Sequence, residues 1–140
     1  MKIKIKKLHP GAIIPKVQRQ GDAGLDIYSY EDYELQSGER HAFKTGIISE
    51  FSKEYVGLVW DRGGLAFKQG ITCLAGVVDS NYRGEWMICL LNTSNKNYKI
   101  SKGDRIAQLL IQKIESPEIE QVQELSDSVR GENWKGSSGK

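Results

Sequence analysis

Residues 75–85 read Ala-Gly-Val-Val-Asp-Ser-Asn-Tyr-Arg-Gly-Glu, and they carry the strongest local signal in the chain. An apolar run enters this polar tip, and a second apolar run, 86–91, leaves it. The pattern predicts a β-hairpin with Asp79 and Tyr82 at its mouth. One interpretation is a solvated hairpin in which Asp79 makes a side-chain turn. The other is a carboxylate held on rigid strands to activate a water molecule.

The rest of the chain shows the same two-residue periodicity. Short runs rich in Val, Ile, Tyr and Phe are separated by Gly, Ser, Asn and Asp. We predict strands at 2–7, 25–30, 33–36, 41–50, 55–60, 71–78, 85–92, 105–114 and 120–125, with one helical turn at 65–68. Many short strands at regular spacing favour an all-β sandwich, jelly roll or barrel.

Length and composition limit the class of protein. The chain has 140 residues, the size of one domain, and a formal net charge of +2. No nucleic-acid or membrane partner is expected, because the net charge is nearly balanced and neither a membrane-length apolar run nor a signal-peptide pattern is present. The lysines at 2, 4, 6 and 7 alternate with isoleucines, which predicts the solvent face of an N-terminal strand. Cys73 and Cys89 lack the spacing of a zinc site. They favour a reducing, cytoplasmic location, or a nuclear one for a eukaryotic or viral protein.

Three further segments combine glycine with polar side chains. In 60–66, Trp-Asp-Arg-Gly-Gly-Leu-Ala, the glycines would let backbone N–H groups approach an anion, although an ordinary loop is the alternative. In 103–110, Gln108 is an amide within a core-strand pattern and needs a partner if it is buried. In 23–29, Asp26 is a structural acceptor or faces a metal-bound substrate, and we favour the structural role.

The composition changes after Leu125. We therefore place a β domain at 1–125 and a mobile arm at 126–140, since the arm is polar and rich in Gly and Ser. Gly-Ser-Ser-Gly at 136–139 has the composition of an artificial linker, or it belongs to an arm that folds over a bound phosphate.

Taken together and in this order, the segments resemble the five motifs of the trimeric dUTPase family. Ala-Gly-Leu-Asp-Ile at 23–27 is similar to motif one, and Arg-Gly-Gly-Leu-Ala at 62–66 to motif two. Residues 76–85 are similar to motif three, and Gly-Asp-Arg-Ile-Ala-Gln-Leu at 103–109 to motif four. Arg-Gly at 130–131 with the glycines at 136–139 resembles motif five.

The resemblance implies a jelly-roll homotrimer with active sites at the subunit interfaces. Such an enzyme hydrolyses dUTP to dUMP and pyrophosphate with Mg²⁺, which keeps uracil out of DNA and supplies dUMP for dTMP synthesis. The Mg²⁺ is expected on substrate phosphates and waters, with no direct protein ligand. By resemblance, Asp79 is the catalytic residue that activates the water, and Tyr82 packs under the deoxyribose.

The resemblance also implies the remaining substrate contacts. The backbone around Val77, Val78 and Met87 would read the uracil edge, and Cys73 stands where some members carry an asparagine that contacts the base. The phosphates would be held by Arg62, Gly63, Gly64 and Gln108, with Arg130, Ser137 and Ser138 closing on the γ-phosphate. Trp134, one residue before the family's aromatic position, is predicted to stack on the uracil.

Two other functions were weighed against this prediction. A dCTP deaminase would need a catalytic Glu five residues after Gly84, where this chain has Cys89. A regulatory protein on the same fold would have lost its chemistry. The presence of Asp79 and Tyr82 argues against this alternative, whereas the altered motif five leaves it open. A P-loop NTPase is excluded, because no Gly-rich Lys-Ser/Thr loop follows a strand.

Overall fold

The computed structural model describes residues 1–132, which form short strands and one helix. The strands are β1 (Lys4–Lys7), β2 (Leu25–Tyr28), β3 (Tyr33–Leu35), β4 (Arg40–Lys44), β5 (Ile47–Glu50), β6 (Tyr55–Asp61), β7 (Ile71–Leu74), β8 (Val77–Val78), β9 (Met87–Asn92), β10 (Tyr98–Ile100) and β11 (Arg105–Lys113). The helix α1 spans Gly63–Gln69. The predicted all-β class is therefore confirmed.

Two antiparallel sheets carry most of the fold. One has the strand order β2-β11-β6-β8 and the other β4-β9-β7, while β1-β5 and β10-β3 form two-stranded pairs. Buried apolar side chains from both sheets, including Ile27, Phe43, Leu90 and Leu109, form one core. Burial of these side chains supplies the main driving force for folding.

The predicted strand at 41–50 is two strands, because the chain turns at Thr45-Gly46. Gly46 has a φ of 71°, a left-handed conformation that favours glycine. A Cβ at Gly46 would lie 2.8 Å from the Cβ of Ala12, so the turn also depends on close packing. Glu85 Oε1 accepts a 2.7 Å hydrogen bond from the Gly46 N–H and ties this turn to residue 85.

The predicted strand at 71–78 is also two strands, and this changes the predicted hairpin. Ala75 and Gly76 have φ values of 62° and 117°, which break the extended conformation. β7 pairs with β9, but β8 leaves that sheet and pairs with β6 in the other one. The two strands that were expected to pair directly around Asp79 therefore belong to different sheets.

Three smaller differences concern elements away from this turn. No strand forms at 120–125, where Ile119 and Leu125 are 85% and 88% exposed. An extended segment needs a neighbouring strand, and the described part of the chain provides none there. β10 was not predicted, and α1 is longer than the predicted turn at 65–68.

Candidate active site

Residues 75–86, here named the turn segment, connect the two sheets. The Val59 N–H donates a 2.7 Å hydrogen bond to the Gly76 carbonyl, which fixes the start of the segment on β6. A Cβ at Gly76 would lie 2.6 Å from the Val59 carbonyl oxygen, so only glycine fits this approach. The turn segment is therefore held on rigid strands at both ends.

The tip of the turn segment is a tight turn closed by hydrogen bonds to main-chain carbonyl groups. The Tyr82 N–H donates to the Asp79 carbonyl at 3.1 Å. Arg83 Nη1 donates to the Ser80 and Tyr82 carbonyls at 2.8 and 3.0 Å. The carboxylate of Asp79 is exposed and accepts no hydrogen bond from a described residue, so the side-chain turn considered above does not form.

An apolar cavity of about 260 Å³ lies beside this tip. Its walls include Val77, Val78, Asp79, Tyr82 and Met87, which are five of the residues predicted to bind substrate. Trp86 also lines the cavity; it is 2% exposed, and its indole N–H has no partner among the described residues. From the sequence, Trp86 was expected only on a strand, with no role in the site.

Tyr82 is held at the rim of this cavity. Its hydroxyl donates to the Glu85 carbonyl at 3.2 Å, and its side chain is close to half exposed. Cys89, at the position where a deaminase would carry its acid, also lines the cavity.

Cys73 lies next to this cavity, in a second one of about 380 Å³ that shares Val59 and Val77 with the first. The Cys73 N–H donates to Asp61 Oδ1 at 2.5 Å, and the Thr72 hydroxyl contacts both carboxylate oxygens of Asp61. Burial and the neighbouring Asp61 carboxylate raise the pKa of the Cys73 thiol to about 12. The sequence analysis assigned no role to Asp61. In the sequence it could be noticed only as a carboxylate at the end of an apolar strand.

The residues predicted to bind phosphate lie on other elements. Arg62 is the N-cap of α1, and Gly63 and Gly64 form the first turn of that helix. A Cβ at Gly64 would lie 3.6 Å from Arg62 Nη1, so the guanidinium lies close to Gly64. Arg62 lines a polar cavity of about 170 Å³ together with Arg105.

Gln108 lies in the middle of β11, opposite Asp26 on β2 and Trp60 on β6. A Cβ at Gly24 would lie 3.3 Å from Gln108 Cβ and Cδ, so the Gln108 side chain packs over Gly24. Asp26 is buried and accepts a 3.2 Å ion-paired hydrogen bond from Arg105 Nη1. That contact supports the structural role for Asp26.

The predicted residues are therefore only partly brought together. Asp79, Tyr82, Val77, Val78 and Met87 share one cavity, whereas neither Arg62 nor Gln108 lines it. Arg130 is exposed at the end of the described chain, and Trp134, Ser137 and Ser138 lie outside the described residues.

Among residues 1–132, no group of three or more His, Cys, Asp or Glu side chains is arranged to hold a metal ion. No helix in the same range is long and apolar enough to cross a membrane.

A concave apolar cavity with a few polar groups at its rim is typical of a small-molecule site. Comparison with known proteins identifies the family to which the chain belongs. The family model for dUTPase matches residues 11–139. The chain therefore belongs to the dUTPase family.

Individual relatives agree over the whole chain. A deoxyuridine 5′-triphosphate nucleotidohydrolase from Nautilia profundicola is 46% identical and is covered over 100% of both chains. One from Paramecium bursaria Chlorella virus 1 is 44% identical over 96% of each chain. The Staphylococcus bacteriophage 80alpha dUTPase, solved with dUPNHPP, has a TM-score of 0.92 and 32% identity, over 99% of this chain and 98% of that one. A mutant dUTPase from phage phi11 of S. aureus with a structural Mg(II) ion has a TM-score of 0.85 and 27% identity, over 91% of this chain and 100% of that one.

Proposed function

We propose that this chain hydrolyses dUTP to dUMP and pyrophosphate. The observation that carries the proposal is the exposed, uncommitted carboxylate of Asp79 at the rim of the apolar cavity, next to Tyr82. Relatives that are 46% and 44% identical over nearly their full length are deoxyuridine 5′-triphosphate nucleotidohydrolases. A structural neighbour was solved with dUPNHPP.

Asp79 acts as the general base in this proposal. Its carboxylate takes a proton from a water molecule, the water oxygen bonds to the α-phosphorus, and the bond between that phosphorus and the bridging oxygen breaks, so that pyrophosphate leaves and dUMP remains. Because the Asp79 main chain is fixed by the turn and by β8, its Cα keeps its position relative to the cavity, and only the side-chain rotations remain to be ordered when substrate binds. A base on a rigid turn has little freedom to lose when substrate binds.

The uracil is bound in the cavity by main-chain groups of Val77, Val78 and Met87. β8 is only two residues long and pairs with β6 on one side, which leaves its other edge toward the cavity for a ligand. An edge of backbone donors and acceptors rejects cytosine, since an amino group in place of O4 would leave buried groups mispaired. Cys73 contributes packing on the far side of this wall, as a neutral thiol whose pKa is raised to about 12.

Arg62, Gly63, Gly64 and Gln108 bind the phosphates in this proposal. Arg62 supplies charge-assisted hydrogen bonds to phosphate oxygens. The arm, residues 126–140, closes on the substrate through Arg130, Trp134, Ser137 and Ser138, and residues 1–125 form the body of the enzyme.

We propose a homotrimer as the active form. Arg62 and Gln108 do not line the cavity that holds Asp79, so this chain's cavity receives its phosphate-binding residues from a neighbour. The segment after β11 also exposes apolar side chains, among them Ile119, Leu125 and Val129. Apolar surface left in contact with water is typical of an interface with another chain. A closed three-fold assembly buries such patches and completes three equivalent sites.

Mg²⁺ fits this donor set as a cation carried by the substrate. Residues 1–132 provide no cluster of three or more metal-binding side chains, and Mg²⁺ commonly keeps its waters and binds substrate phosphates. When bound, it neutralises charge on the triphosphate. The free, half-buried thiols of Cys73 and Cys89 favour a reducing compartment, and we place the activity in the cytoplasm.

The test of the proposed function is pyrophosphate release from dUTP, dCTP, dTTP and UTP, each with Mg²⁺. We expect rapid release from dUTP and slow release from the other three. Release from dCTP alone, or from none of the four, would overturn the proposal.

A further inference from the structure

Gly84 lies two residues after Tyr82, in the part of the turn segment that leads into β9. Gly84 is not among the described glycines that have a left-handed backbone conformation. Its main chain therefore does not itself require a glycine. A different constraint must explain why this position has no side chain.

That constraint is the ring of Tyr82. A Cβ at Gly84 would lie 2.2 Å from Tyr82 Oη, 2.4 Å from Cζ and 2.8 Å from Cε2. All three distances are too short for atoms that are not bonded to each other. The outer part of the Tyr82 ring therefore lies directly against the Cα of Gly84.

Few other contacts hold this ring. Its hydroxyl donates to the Glu85 carbonyl, and its side chain is 46% exposed. The main chain on either side is fixed by the Tyr82 N–H to Asp79 bond and by Arg83. With the backbone fixed, the surface offered by Gly84 determines where the ring can lie.

We propose that Gly84 is a positioning residue that seats the Tyr82 ring at the rim of the cavity and so sets the discrimination between deoxyribose and ribose. This inference rests on the proposed function and on the place under the deoxyribose that the dUTPase resemblance gives Tyr82, where its ring would pack against the unsubstituted C2′ face of the sugar. A side chain at 84 displaces the ring from the Glu85 carbonyl, and the displaced ring leaves room for a 2′-hydroxyl.

The experiment compares Gly84→Ala, Tyr82→Ala, the double variant and Gly11→Ala. Gly11 is the control, because its added Cβ would meet Lys102 and Tyr30 at 3.4 Å or more, away from the site. The measurements are kcat and KM for dUTP and for UTP, with thermal unfolding of each variant. We expect Gly84→Ala to lower the dUTP-to-UTP ratio of kcat/KM about tenfold, the scale of one buried hydroxyl left without a partner. Gly11→Ala should leave the ratio unchanged.

The double variant separates positioning from a general structural effect. In the Tyr82→Ala background the ring is gone, so adding Gly84→Ala should change the ratio by less than about twofold. If Gly84→Ala does not fold, recovery of folding in the double variant supports the proposal that Gly84 positions the Tyr82 ring. Failure of both variants to fold overturns that proposal. An unchanged ratio in a folded Gly84→Ala variant, or an equal loss in both backgrounds, also overturns it. Absence of dUTP hydrolysis by the unaltered chain would instead refute the proposed function itself.

Discussion

One chain builds the two sides of the proposed site to different extents. The side proposed to bind the uracil, here named the base side, consists of Val77, Val78, Asp79, Tyr82 and Met87. These residues line one cavity, and hydrogen bonds within the chain fix them. The phosphate side, formed by Arg62, Gly63, Gly64 and Gln108, lies on α1 and β11, outside that cavity. In the proposed trimer, a short turn of one chain organises the base side locally, whereas a second chain supplies the phosphate side of the same site.

The largest effect is expected from Asp79→Asn on the base side. An amide cannot take the proton of the attacking water, so kcat should fall by about 10²–10⁴-fold. Binding of a non-hydrolysable dUTP analogue, measured by calorimetry, should stay within about threefold, since the lost charge made no attractive contact with phosphate. Glu34→Gln, an acid-to-amide change at an exposed position of β3, is the control. Near-normal turnover of Asp79→Asn would show that another group is the base.

The second prediction tests whether the two sides come from different chains. Asp79→Asn and the double variant Arg62→Ala/Gln108→Ala should each be nearly inactive alone. Co-expressed with different affinity tags and purified through both, they should form mixed trimers in which about one third of the sites, one in each trimer, are intact. Mixed assemblies without activity would place both sides on one chain.

Arg62→Ala alone should have an intermediate effect. Loss of a charge-assisted hydrogen bond to phosphate costs about 1.5–3 kcal/mol, which lowers kcat/KM for dUTP about 10- to 100-fold. Lys68→Ala is the matched control, because Lys68 is an exposed cation in the last turn of the same helix. Equal kinetics for the two variants would remove Arg62 from the phosphate side.

Cys73 offers a chemical test of the wall behind the base side. Because burial and Asp61 raise its pKa to about 12, the thiol stays protonated at neutral pH and should react slowly with iodoacetamide. At pH 8 we expect alkylation at least about tenfold slower than in urea, measured by peptide mass spectrometry. The raised pKa stabilises the fold below the ordinary thiol pKa, and this contribution is lost as the pH rises toward 12. Equal alkylation rates in both conditions would contradict the burial of Cys73.

The smallest effect is expected at Ala75, where the chain passes from one sheet to the other. Ala75 has a left-handed conformation, which costs a residue with a Cβ about 1–2 kcal/mol, and replacement by glycine removes this strain. The greater conformational freedom of glycine in the unfolded chain opposes that gain by about 0.4–1 kcal/mol. Ala75→Gly should therefore raise the free energy of unfolding by about 0–1 kcal/mol in urea denaturation. A destabilisation of more than about 1 kcal/mol would mean that the methyl group of Ala75 makes a packing contact that outweighs its strain.

The sequence by itself determined the class of the fold, and it predicted which residues form the base side. Alternation of apolar and polar residues is a local property of the chain, and so is the preference of Asp79-Ser80-Asn81 for a turn. Asp79 and Tyr82 were found because polar residues at the tip of an apolar run stand out without knowledge of their neighbours. The same reasoning located α1 through its glycines, although not its full length.

The pairing of strands was decided by the tertiary structure. A period of two shows that 71–78 is extended, but it does not show which strand will be its partner or where it will change partners. The change at Ala75-Gly76 follows from the contact of Gly76 with Val59, and the roles of Asp61 and Trp86 follow from packing that involves distant strands. These features depend on contacts between residues far apart in the chain, so a pattern read along the chain could not contain them.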